Sequence, residues 1–89
     1  MTSPTRIRTN TVPYRKGFVE VAPSIHKGHV NLESWEVHAE VDISEHEWVT
    51  DLDSDEAIIA NIEMEFSPSD AKKLGKALLK AAEEAEAEQ

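Results

Sequence analysis

Residues 57–85 read AIIANIEMEFSPSDAKKLGKALLKAAEEA, an alternating apolar stretch that runs through a Ser-Pro pair into a Lys/Ala/Leu segment. Ile58, Ala60, Ile62, Met64 and Phe66 are apolar at every even position, while Asn61, Glu63 and Glu65 follow Ile59 at the odd ones. Side chains alternate faces along a strand, so the pattern predicts a strand with one buried and one wet face. Ser67 is the expected N-cap of the next element, with Pro68 at the first helical position, where its missing N–H costs nothing, and Asp70 in the capping-box place. Beyond it, Ala71, Leu74, Leu78, Ala81, Ala82 and Ala85 recur on one side at helical spacing. At about 3.3 Å per strand residue and about 1.5 Å per helix residue, both elements are roughly 30 Å long. The helix is therefore expected to fold back and cover the sheet.

The whole chain has 89 residues, which sets a single domain with a thin core, because a chain of this size buries only about 60% of its unfolded surface. It has no cysteine, so neither disulfides nor a Cys-based metal clip can supplement that core. No apolar run approaches the ~18 residues of a membrane span, and a soluble, cytoplasmic protein is expected. The net charge of −9 is unevenly spread. Residues 1–29 hold Arg6, Arg8, Arg15, Lys16 and Lys27 against Glu20 alone, whereas residues 30–89 hold four lysines against seventeen acids. An acidic body repels phosphate, which argues against direct nucleic acid binding.

Residues 1–13 read as a flexible basic N-terminal tail, with a basic arm that orders on a partner as the sharper alternative. Residues 14–89 form the expected domain. Tyr14–Ala22 is the expected first strand, ending at Pro23, with Gly17 marking a bulge or an edge. Val30–Ile43 is a second β segment in which Trp35, Val37, Ala39, Val41 and Ile43 alternate with Glu36, His38, Glu40 and Asp42. Val30 and Leu32 are in the opposite phase, so the pattern slips by one near Glu33–Ser34, which calls for a bulge or a turn there. Ser44–Glu56 connects this segment to the last strand. The expected architecture is α+β: an antiparallel three- to four-stranded β-meander packed against one C-terminal α-helix.

Few constellations carry chemistry. Asp51-x-Asp53-x-Asp55 resembles the start of a calcium loop, but Glu56 stands where that loop needs Gly and Ile62 where it needs Glu, so a solvated connection is expected. His26-x-x-His29, with His38 or His46, falls short of the three or four convergent ligands of a zinc site and reads as surface histidines. There is no nucleophile elbow and no Gly-rich phosphate loop; the glycines are Gly17, Gly28 and Gly75. No catalytic, cofactor-binding or metal-ligating residue is expected, and no enzyme activity.

Partner binding is the remaining class. Asp42 through Glu56 holds seven acids and no lysine or arginine, and within Ser44–Glu56 the only apolar residues are Trp48, Val49 and Leu52. Gly75 lies inside the helix at a cost of about 1 kcal/mol against Ala, which close backbone approach to the sheet or another chain explains most simply. Leu79 falls on the same flank, outside the core stripe, while Lys72, Lys73, Lys76 and Lys80 lie opposite it. Glu83, Glu84, Glu86 and Glu88 crowd the C-terminal end, where they oppose the helix dipole. The candidate partner-binding residues are thus Trp48, Asp51, Asp53, Asp55, Glu56, Gly75 and Leu79.

The segment FSPSDAKKLGKALLKAAEEA, Phe66 to Ala85, with the alternating strand before it, resembles a motif in small uncharacterised proteins of actinobacteria and their phages. In those proteins a final strand runs into a helix of the form (S/T)PxxAxxLxxALLxAAxEA. The resemblance implies a meander-plus-helix fold and a bacterial or phage origin, and it brings no catalytic residues with it. The expected function is a small acidic protein-binding module, a regulator or accessory protein whose partner is another protein or a second copy in a homodimer. The alternative is an acidic nucleic-acid mimic that inhibits a DNA- or RNA-binding enzyme through Asp42, Glu45, Glu47, Asp51, Asp53, Asp55 and Glu56.

Overall fold

In the computed structural model, which describes residues 3–89, four antiparallel strands lie side by side in chain order. They are Thr5–Thr9 (β1), Lys16–Pro23 (β2), Val30–Val37 (β3) and Ile58–Phe66 (β4), followed by the helix Pro68–Ala87 (α1). The α+β meander with one C-terminal helix is therefore the fold. Ser67 caps α1 as its residue type dictates, its Oγ accepting from the Asp70 N–H at 3.1 Å, with Pro68 in the first turn. Among the described residues no helix is long and apolar enough to cross a membrane.

The structure differs from the sequence pattern first at the N-terminus. Residues 5–9 lie within the stretch read as a tail, yet they pair along β2 from Thr5↔Val21 to Thr9↔Gly17 as an edge strand. Its arginines explain the pairing. Arg6 Nε donates to Glu20 at 2.9 Å, and its guanidinium lies 4.8 Å from the centre of the Trp48 ring. Arg8 Nη1 reaches the backbone carbonyls of Ile43, Ser44 and His46 at 3.3, 2.9 and 2.7 Å. Met1 and Thr2, the start of the expected tail, fall outside the described residues.

The phase change in the second β segment also has another origin. β3 stays in register with β2 from Val30 to Val37, with no irregularity at Glu33–Ser34. Val30 and Leu32 face one side of the sheet and Trp35 and Val37 the other, because each end of this strand is covered on a different face. The irregularity falls instead between Glu36 and Val37, where the pairing with β4 shifts. The strand ends there, so Ala39, Val41 and Ile43 belong to a folded connection, residues 38–57, and not to a longer strand. Gly17 is neither bulge nor edge. A Cβ at Gly17 would stand 1.8 Å from the Trp35 carbonyl oxygen, so β2 and β3 approach too closely there for any side chain.

The core sits on the Trp35 face. Phe18, Val37, Ile43 and Trp48 are buried together, with Trp35, Val41, Val49, Leu52 and Ala57 packed around them. Trp48 meets Phe18 and Trp35 edge to face, at centroid distances of 5.5 and 5.3 Å. Such pairs add about 0.5–1.5 kcal/mol each beyond the area they bury. Lys16 is buried beside them and donates Nζ to the Ala39 carbonyl at 3.1 Å.

Two outcomes test this packing. Gly17→Ala is expected to destabilise the fold by about 3 kcal/mol, since the clash is with backbone that cannot swing away; the urea midpoint measures it. Arg8→Ala is expected to cost about 1–2 kcal/mol and to raise amide exchange across residues 43–48 more than in β2 and β3.

Candidate interaction surface

The register divides the sheet into two unlike faces. On the core side, Arg6 and Arg8, Phe18 and Glu20, Glu33 and Trp35, and Asn61 and Glu63 lie in cross-strand rows. On the other side lie Thr5, Ile7, Thr9, Val19, Val21, Val30, Leu32, Ser34, Glu36, Ala60, Ile62, Met64 and Phe66. In a chain that is 30% charged, Glu36 is the single charged residue of that second face. The alternation of β4 thus sets an apolar surface where expected, but the surface is not covered. Ile62 is 55% exposed and Met64 50%.

The reason lies in where α1 docks. One residue, Ser67, separates β4 from α1, so the helix leaves from the Phe66 end of the strand. It meets the sheet at the corner made by Val21, Val30, Leu32 and Phe66, where Ala71, Leu74, Gly75 and Leu78 complete the walls of an apolar cleft of about 150 Å³. No residue of the helix is fully buried. The expectation that the helix covers the sheet is corrected: equal lengths do not align two elements when the connection fixes their crossing at one end. The radius of gyration, 14.5 Å, exceeds the ~12 Å of a compact chain of this length.

Of the candidate partner-binding residues, Trp48 is buried in the core, which removes it from any exposed binding surface. Asp51 is exposed, but its carboxylate serves the loop itself, accepting from the N–H groups of Glu47 at 2.9 Å and Trp48 at 3.1 Å. Asp53, Asp55 and Glu56 are exposed on the connection. Gly75 is half buried at the corner cleft, and a Cβ there would meet nothing within 4 Å. Close approach within this chain therefore does not account for Gly75. Leu79 is 67% exposed beside it. The structure places Gly75 at the corner cleft on the open side of the sheet, leaves Leu79 exposed on the helix, and sets Trp48 on the opposite side of the sheet.

A broad cleft of about 590 Å³ opens on the connection, with His38, His46, Asp42, Asp53 and Glu56 in its lining. The Asp42 carboxyl titrates below its ordinary value because the Ser44 backbone and side chain donate to it, with Lys16 and His46 adding favourable charge. Among the described residues, no three His, Asp or Glu side chains are placed to hold a metal ion. His26 pairs with Glu65 of β4, and His29 Nδ1 lies 3.1 Å from the Lys27 carbonyl of its own turn, so the two histidines have separate partners.

Sequence reading alone missed a ladder of carboxylates. Glu20, Glu33 and Glu63 lie directly opposite one another across β2, β3 and β4. Like charges so placed repel, and each has its own donor: Arg6 for Glu20, Asn61 for Glu33 and Asn31 for Glu63, at 2.9, 3.1 and 3.0 Å. No local pattern announces such a row, since it exists only once three strands are in register.

Comparison with known protein families, with curated proteins and with solved structures finds no match. With open space at its Cβ, Gly75→Ala is expected to stabilise the chain by about 1 kcal/mol through helix propensity alone, read as a raised urea midpoint at low protein concentration.

Proposed function

We propose that this chain is a small acidic, non-catalytic protein-binding module, a cytoplasmic regulator or accessory protein of bacterial or phage type. The observation that supports it is the open sheet face. Ile7, Ile62 and Met64 are each about half exposed on a surface whose single charge is Glu36. An apolar patch left open on a small domain is the usual signature of an interface. The partner is another protein, a second copy of the chain included. The acidic mimic is the weaker reading, because the Asp42 and Asp51 carboxylates are spent on hydrogen bonds within their own loop.

Paired variants separate the two readings. Ile62→Lys combined with Met64→Lys is expected to abolish capture of protein partners from a bacterial lysate, and Asp53→Asn with Glu56→Gln to leave it unchanged. The reverse pattern points to the mimic. Turnover of a small molecule that one carboxylate substitution abolishes would overturn both.

A further inference from the structure

The apolar stripe of α1 is longer than the surface it meets. Ala71, Leu74 and Gly75 are half buried at the sheet corner, while Leu78, Ala81, Ala82 and Ala85 continue the stripe and are exposed, Leu78 by 61%. Beside the docked half, the Ile62 and Met64 surface of β4 is equally unpartnered. The amount of open surface is large. The chain exposes 6944 Å², whereas a compact protein of 9.9 kDa exposes about 5,200 Å². The difference, about 1,700 Å², is about twice the ~800 Å² that each partner buries in a standard interface.

Charge selects the occupant. Lys72, Lys73, Lys76 and Lys80 lie in the first two thirds of α1, and Glu83, Glu84 and Glu86 in its last turns, with Glu88 as the C-cap. The glutamates crowd the negative end of their own helix dipole, and the last turn contains no basic residue to offset them.

We propose that a second copy of this chain covers the open face, the two α1 helices pairing antiparallel about a two-fold axis near Leu78 and Leu79. Such a crossing sets the free half of each stripe beside the docked half of the other, over the partner's open sheet surface. It also sets the acidic C-terminal end of each helix beside the positive N-terminal end of the second copy, while a parallel pairing stacks like ends on like. The net charge of −9 opposes association at long range, an effect that moderate salt screens, and the open sheet face itself adds only Glu36 to it. The proposal rests on the protein-binding reading and names its partner.

Sedimentation equilibrium of the full chain at moderate salt is the first test. A concentration-dependent dimer is expected, and Leu78→Glu is expected to return it to monomer. Because the chain lacks cysteine, single-cysteine variants report the geometry under mild oxidation. Leu79→Cys is expected to cross-link to its own copy. Lys72→Cys is expected not to, but to cross-link when mixed with Glu86→Cys. A dimer that survives Leu78→Glu overturns the proposal, as does Lys72→Cys cross-linking to itself as readily as Leu79→Cys. A monomer at high concentration overturns it too. In that monomer, strong paramagnetic relaxation of the Ile62 and Met64 side chains by a soluble probe leaves the protein-binding reading standing, whereas side chains shielded by their own helix overturn both.

Discussion

The grip of Arg8 on the connection between β3 and β4 holds the rest of the structure in place. Three carbonyls of residues 43–46 converge on one guanidinium nitrogen, which satisfies backbone groups that a loop of this kind otherwise leaves to water. With the loop so held, Ile43 and Trp48 are delivered onto Phe18, Trp35 and Val37. Two of the four buried side chains of the core, Ile43 and Trp48, thus come from the segment that Arg8 holds. A sheet with a single helix has no other layer to supply them.

This arrangement explains an inversion in the fold. The long acidic connection builds the core, while the regular amphipathic helix leaves the sheet largely open. Trp48 has a cost in being fixed on an irregular segment, offset by two edge-to-face aromatic contacts and by the Arg6 guanidinium over its ring. The acids of the connection are kept at the surface, two of them turned back to cap turns of the loop itself. Negative charge and hydrophobic core thus share one segment without conflict.

The two faces divide the labour. The core face concentrates charge, with Glu20 paired to Arg6 and the carboxylates of Glu33 and Glu63 hydrogen-bonded by Asn61 and Asn31. The open face has almost none, and a surface free of charge loses little on desolvation when another molecule covers it. The buried core and the open apolar surface are therefore supplied by opposite sides of one sheet.

The sequence by itself determined the elements with strong local signals. The alternation of Ile58–Phe66 and the Ser67-Pro68 cap specify β4 and α1 within a residue or two, because period and capping chemistry are properties of adjacent residues. Tertiary structure alone decided the rest. β1 has no apolar alternation of its own, and only the partners of Arg6 and Arg8, distant in sequence, make it a strand. Val30 and Trp35 look out of phase until the two faces of the sheet are known to be covered by different elements. Trp48 reads as a surface residue within its acidic neighbours, and the aromatic pair that buries it comes from strands 13 or more residues away. The angle at which α1 leaves Phe66, and with it the open face, follows from a one-residue connection whose direction no side-chain pattern encodes.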